Sequence, residues 1–362
     1  NCQLKYNKKF ILLCLFLMRK TSNKNINIKD LAKKLNISVS SVSRALNGHA
    51  NISTKTTNKI IRAAKKYNYI PNLAAKSLAS KKSDTIAFIA AITPSAPDYV
   101  LLEFLAGVSM GIKDTNTELI VKLTLSEKDE IGYYERLIRN NVADKFIFYR
   151  TKQNDQRIKL LKQNKINFVS WGREKNEKGY AWIDMDNEKS IEILAKRLIK
   201  FGHQKIALMN VHQSFNYGNQ RKKSYEKILK EYNIFFYKDY YQESLLGLTE
   251  NGIELTRYLL SLKDPPTAII CSLDKFFIGC LLECKNQKLN VGKDISVVGY
   301  NDYDNYLSTQ NLTYISHPLS QMGIDSVNIL KKLENGDSPD NVSKLIEPIL
   351  HEGKSDGLLK NK

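Results

Sequence analysis

Two periodicities divide the chain. Between Ile26 and Asn72, apolar residues recur at helical spacing: Leu31, Ala32 and Leu35, then Val42, Ala45 and Leu46, then Ile60, Ile61 and Ala64. Helix signals bound each stripe. Asn36 stands where a tight turn needs left-handed backbone, which asparagine tolerates. Ser38 is placed to N-cap a helix over Val39 to Leu46, with Asn47-Gly48 as its end. Ser53 caps a third helix, which closes near Tyr67-Asn68-Tyr69 before Pro71. Two short helices joined by a tight turn and braced by a third predict a helix-turn-helix. Its second helix turns Val42, Ala45 and Leu46 inward and Val39, Ser40, Ser41, Ser43 and Arg44 outward. A solvated face ordinarily uses Lys, Glu or Gln. Hydroxyls this short instead let a helix sit deep in a groove and donate to phosphates or base edges.

From Thr85 the period changes. Apolar, β-branched runs such as TIAFIAA, ELIVKL, KFIFY and INFVSW alternate with helical stretches, the first over Val100 to Lys113. A second round begins near Asp186, with a long helix ending in FGHQK, the strand IALMN, a helix over Gln220 to Tyr232, and strands at TAIIC and ISVVGY. This alternation predicts an α/β fold with parallel sheets. Two such sheets in sequence imply two lobes, with a ligand cleft at the carboxyl ends of their strands.

Charge sharpens the division. The 362-residue chain has a formal net charge of +19. Between Arg19 and Lys82 lie 15 Lys and Arg against the single acid Asp30. Three lysines precede that stretch, so everything after Lys82 carries only about +2. A lysine-rich genome would not spare the rest of the chain, so the imbalance points to a polyanion, most simply nucleic acid. Five cysteines (Cys2, Cys14, Cys271, Cys280, Cys284) show no metal-ligand spacing, and Cys280 and Cys284 read as buried thiols of a reducing compartment. The run FILLCLFLM after Lys8-Lys9 imitates a secretory signal, but Arg19-Lys20 follow it in place of a cleavage site. Met18 would serve as a start, which leaves residues 1–17 as upstream sequence. No membrane segment is expected. There is no G-x-G-x-x-G, phosphate loop, Ser/His/acid set or metal-spaced cluster, and His203 and His317 are isolated, so no enzyme and no cofactor is expected.

The stretch IKDLAKKLNISVSSVSRALNG resembles the DNA-binding headpiece of the lactose/galactose repressor family of bacterial transcription regulators. YIPNLAAKSLASKKSDTIAFI resembles that family's hinge leading into a sensor domain. LIKFGHQKIALM, PPTAIICSLDKFFIG, VGKDISVVGYND and NLTYISHPLSQMG resemble its sensor, a type I periplasmic sugar-binding fold. The resemblance implies an N-terminal extension over 1–25, a headpiece over 26–70, a hinge helix and linker over 71–84, and an effector-binding and dimerisation domain over 85–362. Carried over by position, Val39 and Ser40 fall on the pair that contacts base edges. Ser41, Ser43, Arg44, Asn47, Asn51 and Thr56 fall on other DNA-facing positions, and Leu78 on the hinge leucine that wedges into the minor groove. A hinge helix at Asn72 to Ala79 is too short to be stable alone, so it would fold only when two chains meet on DNA.

Sugar recognition needs planar groups that grip adjacent hydroxyls and an aromatic ring against the apolar face. The effector candidates are Asp98, Trp171, Arg173, Arg221, Asp274 and Asn301. Trp171 reads equally as core, Asp274 equally as a helix cap, and Asp98 and Arg173 as solvated loop charges; Arg221 near a helix start opposes the dipole, which favours a ligand role. The pattern departs from the family at Ser224, Leu273, Asn301 and Asn311, and PSAPDYVLLEF lacks the usual Asn-Pro-Phe-Phe. These departures put the pocket's ligand in doubt more than its DNA half. The implied function is a cytoplasmic, nucleoid-associated regulator, by expectation a repressor. It would bind a double-stranded operator as a homodimer, with a tetramer left open, and answer to a sugar-like small molecule. A transport-type binding protein of the same fold would lack the 26–80 module.

Overall fold

The computed structural model describes residues 26–46, 51–69, 83–91, 98–176, 178–302 and 309–359. Residues 1–83 and 84–362 form two separate compact units. The first contains α1 (Ile28–Leu35), α2 (Val39–Leu46) and α3 (Thr54–Lys66). A capping box opens α1: the Asp30 amide donates to Asn27 Oδ1 at 3.0 Å and the Asn27 amide to Asp30 Oδ2 at 3.1 Å. Asn36 takes the left-handed conformation (φ 52°) that ends α1. Ser38 Oγ then accepts from the Ser41 amide at 3.1 Å and caps α2. Ser53 likewise caps α3. Leu31, Ala32, Val42, Ala45, Ile60 and Ala63 form the core of this unit. The expected inward stripe of α3 is corrected by one position. Ile61 is exposed, and Ala63 takes its place beside Ile60.

The second unit holds two six-stranded sheets. β1 (Thr85–Ala91), β2 (Glu118–Thr124), β3 (Lys145–Phe148), β4 (Asn167–Trp171), β5 (Ala181–Met185) and β11 (Lys344–Ile346) form the first sheet, in the order β11-β5-β4-β3-β1-β2, with every pair parallel. β6 (Ile206–Val211), β7 (Tyr241–Ser244), β8 (Ala268–Cys271), β9 (Ser296–Tyr300), β10 (Tyr314–Ser316) and β12 (Ile349–His351) form the second, in the order β12-β10-β9-β8-β6-β7, where only β12 runs antiparallel.

The continuous apolar runs serve both faces of each sheet. Along β1, Ile86, Phe88 and Ala90 face one core, which receives α4 (Tyr99–Ile112) and α11 (Leu319–Glu334). Ala87 and Ile89 face the other, which receives α5 (Glu127–Arg139) and α6 (Gln156–Gln163). In the second lobe, α7 (Asn187–Lys200) and α8 (Asn216–Glu231) cover one face, and α9 (Thr249–Ser261) and α10 (Asp274–Asn286) the other.

The lobes are not consecutive in the chain, which corrects the reading of two sheets in sequence. The chain does cross after β5, where Asp186 caps α7. It returns to the first lobe after β10, laying α11 on α4, adding the short α12 (Pro339–Val342), and placing β11 beside β5. It then crosses a third time into β12. AWIDM, unremarked as a strand in the sequence reading, is β5. No helix among the described residues is long and apolar enough to cross a membrane.

Candidate functional site

The first candidate is the outer face of α2. Val39, Ser40, Arg44 and Asn51 are exposed, and Ser41, Ser43 and Thr56 partly so. Ser38 Oγ lies 2.9 Å from both Ser40 Oγ and Ser41 Oγ, so capping holds these hydroxyls together at the start of the helix. Thr56 Oγ1 meets Ser53 Oγ at 2.9 Å. Lys29, Lys33, Lys34, Arg44, Lys55, Lys59, Arg62, Lys65 and Lys66 make no ion pair among the described residues, and the one acid is locked in the capping box. A surface of uncompensated cations around a hydroxyl-faced helix is chemically suited to a phosphate backbone. Asn47, Leu78 and the hinge stretch 72–79 lie outside the described residues.

The second candidate is a cavity of about 190 Å³ between the lobes, at the carboxyl ends of their strands. Asp98 caps α4, accepting from the Leu101 amide at 3.0 Å, and its other oxygen meets Tyr149 Oη at 3.2 Å and Arg150 Nη2 at 3.0 Å. It is therefore a cap and a clamp, not a solvated loop charge. Arg150 itself is held in left-handed backbone (φ 56°), a strained state for a residue with a Cβ.

Trp171 ends β4 and is 8% exposed. It stacks on Phe104 at 4.5 Å and still lines the cavity, so it is core and cavity wall at once. Arg173 does not line the cavity. Its Nε binds Asp184 Oδ2 at 3.1 Å, its guanidinium covers the Trp182 ring, and it is Asp184 that faces inward. Burial, outweighing Arg173, pushes the Asp184 carboxyl up to about 6.

From the second lobe, α8 delivers Arg221, 4% exposed. Its Nε donates to Asn187 Oδ1 at 2.9 Å and its Nη1 to the Ser272 carbonyl at 2.6 Å, while the Tyr300 ring lies 4.2 Å away. Asp274 is the first residue of α10 and lines the cavity, while Leu273 occupies the cap position. Asp274 therefore sits one residue inside the helix and not at the cap position itself. Asn301 is 2% exposed, its amide bonded to the Ile315 carbonyl at 2.9 Å, and it does not line the cavity. Its neighbours Tyr300 and Asp302 do, and Asp302 Oδ1 pairs with His317 Nδ1 at 2.7 Å.

The cavity therefore gathers Asp98, Trp171, Arg221 and Asp274 of the expected set and leaves Arg173 and Asn301 behind it. Tyr149, Arg150, Asp184, Asn187, Tyr217, Ser272, Tyr300 and Asp302 join them unforeseen. The available signal was position: each falls within a few residues of a strand's carboxyl end or in the first turns of a helix. His203 is structural, with Nδ1 at 2.9 Å from Thr267 Oγ1 and Nε2 at 2.9 Å from Ser296 Oγ. Cys271, Cys280 and Cys284 are buried free thiols. Among the described residues, no cluster of His, Cys, Asp or Glu is placed to hold a metal ion.

A helix-turn-helix module followed by a two-lobed, cleft-bearing α/β domain is the domain arrangement of a DNA-binding transcription regulator. Comparison with known proteins identifies it further. Residues 27–72 match the family of bacterial regulatory proteins, lacI family, and residues 195–355 match the periplasmic binding protein-like domain. The HTH-type transcriptional regulator AglR of Rhizobium meliloti is 29% identical over 314 residues, spanning 86% of this chain and 88% of its own length. The probable HTH-type transcriptional repressor ExuR of Bacillus subtilis is 28% identical over 302 residues, spanning 83% and 89%. Among solved structures, the lac repressor dimer bound to operator and the anti-inducer ONPF aligns with a TM-score of 0.78 at 22% identity, covering 92% of this chain and 99% of that one. The regulator CelR in complex with cellobiose aligns at 0.69 and 20% identity, covering 91% and 99%. The chain thus carries a lacI-family DNA-binding domain ahead of a periplasmic binding protein-like domain, and it is similar along most of its length to HTH-type transcriptional regulators.

Proposed function

We propose that this regulator binds a pseudo-palindromic operator as a homodimer and releases or holds it according to a sugar-like ligand in the interlobe cleft. The observation that carries this reading is the pairing of two chemically suited surfaces on one chain. One is a hydroxyl-faced helix ringed by free cations. The other is an interlobe cleft lined by aromatic rings, carboxylates and a guanidinium. Val39 and Ser40 meet base edges, and Ser41, Ser43, Arg44, Asn47, Asn51 and Thr56 hold the flanking backbone or bases. Leu78, in the linker 71–84, wedges between base pairs. Asp98, Trp171, Arg221 and Asp274 grip the ligand, while Arg173 acts through Asp184. The CelR complex with cellobiose and the operator-bound lac repressor dimer share this fold and support a sugar-like ligand and a two-fold operator. A protein that meets chromosomal DNA in this way works in the cytoplasm.

Selection of bound duplexes from a randomised pool tests the DNA half. An inverted repeat is the expected consensus, since a two-fold dimer reads two half-sites. Recovery of a single asymmetric half-site would remove the dimeric reading.

A further inference from the structure

Arg221 is buried, yet no carboxylate among the described residues pairs with it. Both of its hydrogen-bond partners, Asn187 Oδ1 and the Ser272 carbonyl, are neutral. Three acids of the cavity lining pair elsewhere, Asp184 with Arg173, Asp98 with Arg150 and Asp302 with His317, and Asp184 meets the Arg221 charge only through space. A desolvated guanidinium without a directly paired carboxylate is costly to maintain. Two further groups of the cavity lining are unsatisfied. The hydroxyls of Ser272 (0% exposed) and Tyr300 (2% exposed) are buried with no hydrogen-bond partner, and both residues line the cavity. Unpaired buried hydroxyls are rare in native proteins, and two of them beside a buried guanidinium call for a shared acceptor.

We infer that the cleft takes a sugar acid, whose carboxylate sits against Arg221 and accepts from the hydroxyls of Ser272 and Tyr300. The inference rests on the sugar-like reading of the cleft given above and adds the ligand's charge. A neutral sugar would satisfy the hydroxyls and leave Arg221 without its counter-ion. A phosphate dianion would bring a second negative charge beside Asp184 and Asp302, which already line the cavity. A single carboxylate supplies the paired acid that Arg221 lacks, in the charge-assisted geometry for which arginine is suited.

The test uses the full-length protein and three matched probe sets: D-glucuronate and D-galacturonate, D-glucose and D-galactose, and the two hexose 6-phosphates. At least one hexuronate at about 10 mM should raise Tm by ~3 °C or more. Calorimetry should find its neutral counterpart at least ~30-fold weaker, as loss of a charge-assisted bond predicts. Stabilisation by the neutral hexose alone, or by the 6-phosphate alone, overturns the sugar-acid assignment and leaves the sugar-like reading standing. No response to any of the six overturns both. Arg221→Gln should abolish the hexuronate response. Ser272→Ala, which removes one hydroxyl, should weaken hexuronate binding ~10-fold without lowering the Tm of the free protein, since an unpaired buried hydroxyl is lost. Undiminished binding by Ser272→Ala overturns the cradle even if Arg221→Gln does not fold.

Discussion

Asp184 is a carboxyl that the fold holds at a disadvantage. Its pKa lies at about 6, above the ordinary ~3.9 of an unfolded chain, because burial outweighs the help of Arg173. Between those values the native state binds more protons than the unfolded state. This group's contribution to stability is therefore full below about pH 4 and is lost as pH rises through 6. Asp184→Asn removes the titration. Urea unfolding at about pH 4 and pH 7 should show the variant gaining about 2 kcal/mol relative to the parent between the two. An unchanged difference would mean that Arg173 fully offsets the burial. On the other unit, Ser40 is exposed at the first turn of α2, beside the cap that orders its hydroxyl. Ser40→Ala should reorder the preference among operator variants by about tenfold while general affinity and its salt dependence hold. Competition binding on a panel of half-site variants measures this, and an unchanged ranking would take Ser40 off the base edges.

At the scale of elements, two glycines separate close packing from mere backbone freedom. α4 and α11 cross so tightly that a Cβ added at Gly107 would fall on the Ser320 carbonyl, and one at Gly323 on the Phe104 carbonyl. Gly132, in the middle of α5, has open space around it. Gly107→Ala should therefore cost about 3 kcal/mol, while Gly132→Ala should add up to about 1 kcal/mol by helix propensity. Thermal unfolding of the pair checks both signs together. The same crossing explains what could be read from sequence. The helix-turn-helix was legible because caps at Ser38 and Ser53 and the turn at Asn36 act over four residues. The strands β1, β3, β4, β6, β8 and β9 were legible because both faces are apolar. β10, β11 and β12 span three residues each, too short for any period, and β11 is mostly exposed. Nothing local tells α11 that its partner is α4, more than two hundred residues earlier. The unforeseen cavity residues follow from the same cause, since Asp184, Ser272 and Asp302 come together only once both sheets are formed.

At the scale of the sensor as a whole, the lobes are tied beside the cavity by the first turn of α8. The Asn216 amide donates to the Thr151 carbonyl at 3.3 Å, its Nδ2 to the Arg173 carbonyl at 2.6 Å, and Phe215 pairs with Lys152 in an isolated bridge. Asn216 is 4% exposed, so this link is shielded from water and each bond counts. Asn216→Ala removes the side-chain tie and leaves the amide. Lobe closure should become less favourable by about 1.4 kcal/mol, and a ligand that needs both lobes should bind about tenfold more weakly. Small-angle scattering should show a larger radius of gyration for the free variant that returns to the parental value at saturating ligand. If closure is what the hinges sense, coupling must be reciprocal. The factor by which ligand changes operator affinity must equal the factor by which operator changes ligand affinity, in parent and variant alike. Measuring both ratios on the same preparation decides it. Unequal ratios would mean that the two assays do not report one linked equilibrium, and unchanged ligand affinity in Asn216→Ala would mean that the ligand engages one lobe alone.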